Sequence, residues 1–383
     1  MMAVSQRIPI KTLLGIGFGM FLGVLSANSM PVMIGALLDG LAINEAEAGV
    51  LGTVELFAVA IAALAATPLA GKVTNRRLAV FGCLLAITAQ FLSAAVDSLY
   101  LLVGLRIIAG AGLGLAYAAA AIAAAATANP DRVLGYGVTA GLLAIVILLP
   151  CLAMVVTAAG YKGGYVALGV LVIVLMPVMA WLDQEKVRMA ESGKAPALPA
   201  RSLVGLLCCI ALFNIGSGAI WSFSERVGLQ AGLSIEEAGF IIATGAVSGV
   251  MGSLFAGWLG DRWGRKRPVI LALVLAGLGY MILADATNSA SYITGVNLYW
   301  VTYMFLLPLL IGTGAVMDAG GRAATLAAGA ISLSFALGPA CGGYIATWFT
   351  YAAIGWFSCA LCLLAALAFV LVRPEDTRSR DVG

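Results

Sequence analysis

Residues 257–268 read Gly-Trp-Leu-Gly-Asp-Arg-Trp-Gly-Arg-Lys-Arg-Pro, an unusually polar segment in an apolar chain. Asp261, Arg262, Arg265, Lys266 and Arg267 are charged, in a chain of 383 residues of which only 10% are charged. Apolar runs flank the stretch on both sides, and each is long enough to cross a bilayer, which takes about 20 residues in helical form. The stretch is therefore predicted to be a tight turn between two membrane helices.

The composition of the whole chain agrees with a lipid environment. Hydrophobic residues make up 62% of the sequence, and the mean hydropathy is +1.05. A soluble fold cannot bury that fraction, so the sequence predicts an all-α membrane protein. The seven cysteines lie inside apolar runs and the chain has no His, so we interpret the cysteines as packing residues and predict no metal site and no cofactor.

Twelve membrane spans are predicted when Gly, Pro and charge clusters are taken as boundaries. A barrel is excluded because the runs are continuously apolar rather than alternating. The predicted spans are 12–38, 46–70, 78–96, 98–127, 133–159, 164–182, 201–226, 236–259, 268–286, 292–317, 322–347 and 351–372.

Lys and Arg are distributed unevenly between the two sides of the predicted helices. One alternating set of connecting segments contains nearly all of them, whereas the opposite set contains only Lys162 and Arg226. Positive charge is retained on the cytoplasmic side of membrane proteins. Both termini are therefore expected in the cytoplasm, with the turn at 257–268 on the same side.

The chain contains an internal repeat. The turn at 70–77 and the turn beginning at 256 align at an offset of 186 residues, and each follows the second span of its half. A polar stretch with two prolines separates the halves and is predicted to be a cytoplasmic linker. The sequence thus predicts a six-helix bundle over 1–182, a linker over 183–200 and a second, pseudo-symmetric six-helix bundle over 201–383, an arrangement typical of transporters built from parallel repeats.

Three motifs carry a family resemblance. Gly257-x-x-x-Asp261-Arg262-x-Gly264-Arg265-Lys266 resembles the loop signature of the major facilitator superfamily, Arg106-x-x-x-Gly110-x-Gly112 resembles its span-4 motif, and Gly338-Pro339-x-x-Gly342-Gly343 is similar to its Gly-Pro helix motif. The resemblance implies secondary transport and a central cavity lined by spans 1, 4, 7 and 10. The chain differs from the family at Asn75, where the first-half loop lacks the acid, and in span 5, which lacks the pattern associated with antiporters.

The turn at 257–268 is predicted to act as a cytoplasmic gate. Positive-inside sorting accounts for Lys266 and Arg267 but explains neither an acid nor glycines. Asp261 can pair with Arg265 or with a helix N-terminus, and Asp318 is a candidate partner for Arg265 or Arg262. Such a cluster would latch one state and break in the other. The predicted gate residues are Gly257, Asp261, Arg262, Gly264, Arg265 and Asp318.

Glu55 and Arg106 are the ionisable residues that lie well within predicted spans. Counted from the starts of spans 2 and 4, both lie about 12–14 Å deep at 1.5 Å per residue, so an ion pair is expected. Charges inside a membrane mark functional sites by default. Three interpretations stay open: Glu55 carries the coupling proton, Arg106 holds an anionic group of the solute, or the pair only stabilises the first bundle.

Two further groups of residues are candidates. Glu225 and Arg226, at the end of span 7, are interpreted as a water-exposed pair, with an outer gate as the alternative. Polar and aromatic residues at mid-span positions are candidates for the substrate cavity, although each alone could serve as helix packing. They are Asn28, Tyr117, Asn214, Trp221, Asn297, Trp300 and Tyr303.

The sequence therefore predicts a secondary transporter of a small organic solute, coupled to protons, working as a monomer in the cell (inner) membrane. An uncoupled facilitator or a membrane sensor or assembly protein is the alternative. An enzyme is not expected, since there is no metal-ligand cluster, nucleophile–base pair or phosphate-binding Gly-rich loop. Nucleic acid is not an expected partner because the basic residues are spread over separate turns.

Overall fold

The computed structural model describes residues 9–70, 72–127, 130–182, 200–259, 262–318 and 322–372. Within these ranges the chain forms α-helices and no β-strand. The helices are α1 (Ile10–Gly40), α2 (Glu45–Ala66), α3 (Asn75–Ala94), α4 (Leu99–Ala125), α5 (Pro130–Met179), α6 (Ala200–Ser222), α7 (Ser224–Gln230), α8 (Ile235–Leu259), α9 (Lys266–Ala284), α10 (Ser289–Met317), α11 (Arg322–Trp348) and α12 (Tyr351–Val370). Among the described residues, eleven helices are long and apolar enough to cross a membrane.

Predicted spans 5 and 6 both lie within α5, in which two helices meet at a kink. The helix is broken at Gly160, whose φ of +62° and ψ of −164° lie outside the helical region. A residue with a side chain adopts such angles only with strain, and glycine adopts them freely. The boundary predicted between spans 5 and 6 therefore agrees with the structure, and the twelve predicted spans correspond to eleven long helices because α5 contains two of them.

Predicted span 7 ends earlier than expected. Helix α6 stops at Ser222, and Phe223, with φ −109° and ψ 9°, separates it from the short helix α7. Glu225 and Arg226 consequently lie on α7 and not at the end of a long span. The predicted linker over 183–200 lies outside the described residues except for Ala200, which begins α6.

Helices α2 and α8, the second spans of the two halves, begin with the same N-terminal capping motif. The Glu47 carboxylate accepts from the Asn44 N–H (2.9 Å) while the Asn44 side chain accepts from the Glu47 N–H (3.0 Å). Ser234 and Glu237 form the equivalent pair of bonds at the start of α8. Such capping boxes satisfy N–H groups that a helix leaves unpaired at its first turn, and their presence in both halves agrees with the repeat.

The chain folds as two compact units. The first contains α1, α3, α4, α5 and α2 from Val50 onward, and the second contains α6–α12 together with Asn44–Gly49. In the first unit α1 packs along α5 and α3 along α4; in the second, α6 packs on α11 and α12, and α10 on α8 and α9. The predicted Glu55 and Arg106 site lies wholly inside the first unit.

Candidate functional site

Glycines bring α2 and α4 into backbone contact beside the two charged residues. A Cβ atom on Gly110 would overlap the carbonyl oxygen of Glu55 and lie 2.9 Å from the Cβ of Ala58. A Cβ on Gly114, one turn further on, would overlap the carbonyl oxygen of Val59. The span-4 motif thus has a physical role, because small residues allow membrane helices to approach closely.

Glu55 and Arg106 meet at this contact. Arg106 Nη1 lies 3.4 Å from both carboxylate oxygens of Glu55, and the Ser26 hydroxyl of α1 donates to Glu55 Oε1 at 2.7 Å. Arg106 is 1% exposed and Glu55 is 8% exposed. The charges are therefore withdrawn from solvent, where leaving either without a partner is costly.

Neutral groups hold the rest of the guanidinium. Arg106 Nη1 donates to Gln90 Oε1 at 3.1 Å and Nη2 donates to the Ser93 hydroxyl at 2.5 Å, both on α3. The ring of Tyr165 on α5 covers one face, with Arg106 Cζ 4.1 Å from its centroid, a cation–π contact. The bonds to the two neutral acceptors are shorter than the contacts with Glu55, so Arg106 keeps strong partners whatever the charge of the carboxylate.

Sequence reasoning missed four of these partners: Ser26, Gln90, Ser93 and Tyr165. Gln90 and Ser93 are three residues apart and so share one face of α3. A polar pair on one face of an apolar span is a signal that could have identified them. Ser26 and Tyr165 carry no comparable signal, because a single hydroxyl on an apolar helix is a common packing feature.

The seven cavity candidates divide into separate groups. Asn214 and Tyr303 are joined by a hydrogen bond of 3.3 Å, while the Trp300 indole donates to the Ile242 carbonyl at 3.1 Å. Trp221 stacks on Tyr299, a residue that the sequence did not single out, with ring centroids 5.2 Å apart. Asn297 bonds Ser248 of α8, Asn28 donates to the Val24 carbonyl at 2.8 Å, and Tyr117 lies against Gly23.

Burial decides which of these side chains could reach a solute. Asn214, Trp221 and Trp300 are 0%, 4% and 3% exposed, so they form the interior of the second unit. Asn28, Tyr117, Asn297 and Tyr303 are partly exposed. The fully buried candidates therefore serve as packing, and the partly exposed ones are better candidates for a binding surface.

The Glu225–Arg226 pair is not water-exposed, so that interpretation is wrong. Glu225 is 1% exposed, and Arg226 Nε lies 3.2 Å from Glu225 Oε2. The physical reason is the break at Phe223, which turns α7 back against the unit, where the Tyr292 hydroxyl donates to the Ser224 carbonyl at 2.9 Å. The outer gate stays a prediction.

The predicted cytoplasmic gate is described in part. Asp261 lies outside the described residues, Gly264 has a φ of +66°, and a Cβ on Gly257 would meet open space. The Arg262 guanidinium lies 5.0 Å from the centroid of the Trp258 ring.

The two remaining gate residues are near α10: Arg265, which precedes α9, lies beside it, and Asp318 ends it. Arg265 Nη1 would be 2.6 Å from a Cβ on Gly312. Asp318 ends α10 and accepts from the Arg322 N–H at 2.8 Å, which caps the start of α11. The latch stays a prediction.

Asp97 is a titratable residue outside the spans whose pKa is shifted by its neighbours. Asp97, between α3 and α4, accepts hydrogen bonds from Lys162 (2.7 Å) and from the Tyr161 hydroxyl. These two bonds lower the pKa of Asp97 below its ordinary value, and the bond from Lys162 has the larger effect. Both charged side chains are exposed, so this ion pair contributes little to stability in water.

We expect Gly110→Ala to separate α2 from α4 and to weaken the Glu55–Arg106 contact. The new methyl group would overlap the Glu55 carbonyl, and overpacking of this kind costs about 1–3 kcal/mol. Gly104→Ala on the same helix is the matched control, because its Cβ would meet nothing within 4 Å. Thermal unfolding of both purified variants measures the difference, and equal melting temperatures would contradict the predicted role of Gly110.

The sequence of the chain is similar to those of known proteins. The profile of the Major Facilitator Superfamily matches residues 16–320 and also residues 206–383. Multidrug resistance protein 2 of Bacillus subtilis (strain 168) is 31% identical over 147 residues, which are 38% of this chain and 36% of that protein. Monocarboxylate transporter 11 of Homo sapiens is 26% identical over 297 residues, which are 70% of this chain and 61% of that protein. The matches thus span less than two thirds of the length of either relative.

Solved structures share the fold over nearly the whole chain. The nucleoside transporter NupG superposes with a TM-score of 0.76 at 12% identity, covering 95% of this chain and 100% of that one. A D-xylose-proton symporter superposes with a TM-score of 0.75 at 14% identity, covering 95% and 98%. At these identities the likeness is one of fold.

Proposed function

Because the chain belongs to the major facilitator superfamily, a family of membrane transporters, we propose that it moves a small organic solute by alternating access. We further propose that this movement is coupled to protons through Glu55. The chain is a multi-pass membrane protein of a transporter family rather than of an enzyme family. The single observation that carries the proposal is the buried carboxylate of Glu55 beside a guanidinium that has other partners.

The contacts of Arg106 support a proton role for Glu55. A buried ion pair is a weak source of stability, because the desolvation of both charges offsets their attraction. Protonation of Glu55 would leave Arg106 bonded to Gln90 and Ser93 and stacked on Tyr165. The site can therefore hold either charge state of the carboxyl group without releasing the arginine, which a reversible proton carrier requires.

The same contacts disfavour Arg106 as the holder of an anionic solute. Its Nη1 bonds Glu55 and Gln90, its Nη2 bonds Ser93, and one face of the guanidinium is covered by Tyr165. The cavity beside it measures about 20 Å³, which is room for one water molecule and not for an organic anion. An organic anion could reach the guanidinium only if the side chains around this cavity moved.

The relatives suggest which solutes to test first. A multidrug resistance protein and a monocarboxylate transporter are both similar to this chain, so drugs and monocarboxylates are the two solute classes with support. The proton symporter among the structural neighbours supports symport. We further propose the cell (inner) membrane as its location, which membrane fractionation tests, and a monomer, which light scattering in detergent tests.

We expect the purified chain in liposomes to accumulate a solute when the external medium is more acidic than the lumen. The probes are radiolabelled lactate and fluorescent ethidium, each measured with and without an imposed pH gradient, and for an antiported cation the gradient is reversed. A protonophore is expected to remove the accumulation because it dissipates the gradient. Uptake of either probe that ignores the gradient would instead identify an uncoupled facilitator.

A further inference from the structure

The cavity beside Glu55 extends in one direction only. It is lined by Glu55, Arg106 and Tyr165, by Leu51 and Gly52 of α2, and by a face of α1 from Ser26 to Leu37. Residues 51 and 52 lie between Glu55 and the start of α2, and Leu37 lies near the end of α1. The free volume therefore lies between Glu55 and the end of the bundle where α1 ends and α2 begins, the end that the charge distribution predicts to be the outer one.

Towards the other end, Glu55 is closed in by backbone. Gly110 packs on the carbonyl of Glu55 and Gly114 on that of Val59, so α2 and α4 touch without intervening side chains. Such close packing has no room for water. A proton that approaches Glu55 inside the first unit thus meets free volume on one side and packed backbone on the other.

The inner part of the cavity is polar and has an unused donor. Glu55, Ser26, Ser29 and Arg106 contribute polar atoms there. Arg106 Nε is buried and makes no hydrogen bond to another described residue. A buried donor without a protein partner is typically satisfied by water, and Arg106 and Glu55 both line this cavity, which has room for one water molecule.

The outer part of the cavity is apolar and narrow. Met33 lines it, and the sulfur of Met33 would lie 2.6 Å from a Cβ on Gly164 of α5. Met33 is seven residues beyond Ser26 on α1, or about 10 Å further towards the end of that helix at 1.5 Å per residue. Its unbranched side chain has three rotatable bonds and can change conformation at little cost, so it can open and close a passage one water wide.

We propose that protons reach Glu55 through this water-sized passage inside the first unit, past Met33, by a route separate from that of the solute. The proposal rests on the proton-coupling role of Glu55 and adds the direction and the gating residue. Protons pass along hydrogen-bonded water, which needs only single-file space, whereas an organic solute does not fit through a cavity of this size.

The test measures how fast Glu55 gains a proton, without any solute. After a rapid pH drop, time-resolved infrared spectroscopy of the full-length chain in detergent follows the carboxyl C=O band that is absent in Glu55→Gln. Gly164→Ala is expected to push the Met33 side chain into the passage and to slow the appearance of this band by about tenfold or more, which corresponds to about 1.4 kcal/mol in the barrier. The double variant Gly164→Ala with Met33→Ala removes the displaced side chain and is expected to restore the wild-type rate.

The outcomes separate this inference from the proposed function. A wild-type chain without a Glu55-dependent band contradicts both the coupling role and the passage. An unchanged rate in Gly164→Ala, with the melting temperature of the wild type, overturns the passage alone. A slow rate that Met33→Ala does not restore also overturns it, because the effect would then arise from a general disturbance of α5.

Discussion

Glu55→Gln is expected to transport solute at an accumulation ratio that no longer responds to a pH gradient. A gradient of one pH unit supplies about 1.4 kcal/mol per proton, which supports a roughly tenfold accumulation of a neutral symported solute. Gln has nearly the same shape and cannot gain or lose a proton. Its amide oxygen can still accept from Ser26, so the fold around it should be retained.

Uptake into proteoliposomes tests this, with the membrane potential clamped at zero and the probe that the wild type accumulates. The accumulation ratio is expected to fall to about 1 from the roughly tenfold value of the wild type. Glu47→Gln is the matched control: it removes the same charge from the first turn of α2, where the side chain caps the helix through Asn44 and lies outside the site. Gradient-driven accumulation by Glu55→Gln at the wild-type ratio would contradict the coupling role.

Arg106→Met is expected to destabilise the first unit strongly. It leaves the Glu55 carboxylate buried without its cation and removes the partner of Gln90 and Ser93. Breaking a buried pair by removing one member costs about 3–5 kcal/mol. Glu55→Gln alone should cost less, about 1 kcal/mol, because Arg106 keeps its neutral acceptors.

Unfolding by SDS titration in mixed micelles measures these free energies. Adding Glu55→Gln to Arg106→Met is expected to recover a large part of the loss, since the uncompensated charge disappears. Arg77→Met, on the exposed first turn of α3, is the control and should change stability by no more than about 0.5 kcal/mol. Equal losses in Arg106→Met and in the double variant would mean that the charge of Glu55 carries no penalty, against our interpretation of the site.

The helices could be predicted closely because hydrophobic length is a local property. The start of span 11 at Arg322 and the end of span 8 at Leu259 agree with the observed helices. The boundary between predicted spans 5 and 6 agrees with the break at Gly160, whereas the break at Phe223 was missed because neither Gly nor Pro marks it in the sequence. A run of apolar residues reports burial in lipid or protein and contains no information on backbone angles.

The candidate site was predicted in part. The contact between Glu55 and Arg106 followed from equal depth on two helices, a calculation that needs only the rise per residue. Four partners were missed because their positions depend on how α1, α3 and α5 are rotated about their axes: Ser26, Gln90, Ser93 and Tyr165. The sequence of an evenly apolar helix does not specify that rotation. The prediction that Glu225 is exposed to water was also wrong. The position of α7 depends on a single backbone break at Phe223, which the sequence does not indicate.

Membrane helices, an internal repeat and a resemblance to one transporter family could all be read from the amino-acid sequence, with the charged turn at 257–268 as the strongest motif. These properties follow from composition and from spacing along the chain. The fold was needed to show that Gly110 lets α4 touch α2, that Arg106 has neutral partners besides Glu55, and that the free volume beside Glu55 extends past Met33. Each of these depends on which faces of separate helices meet, and packing between distant segments sets those faces.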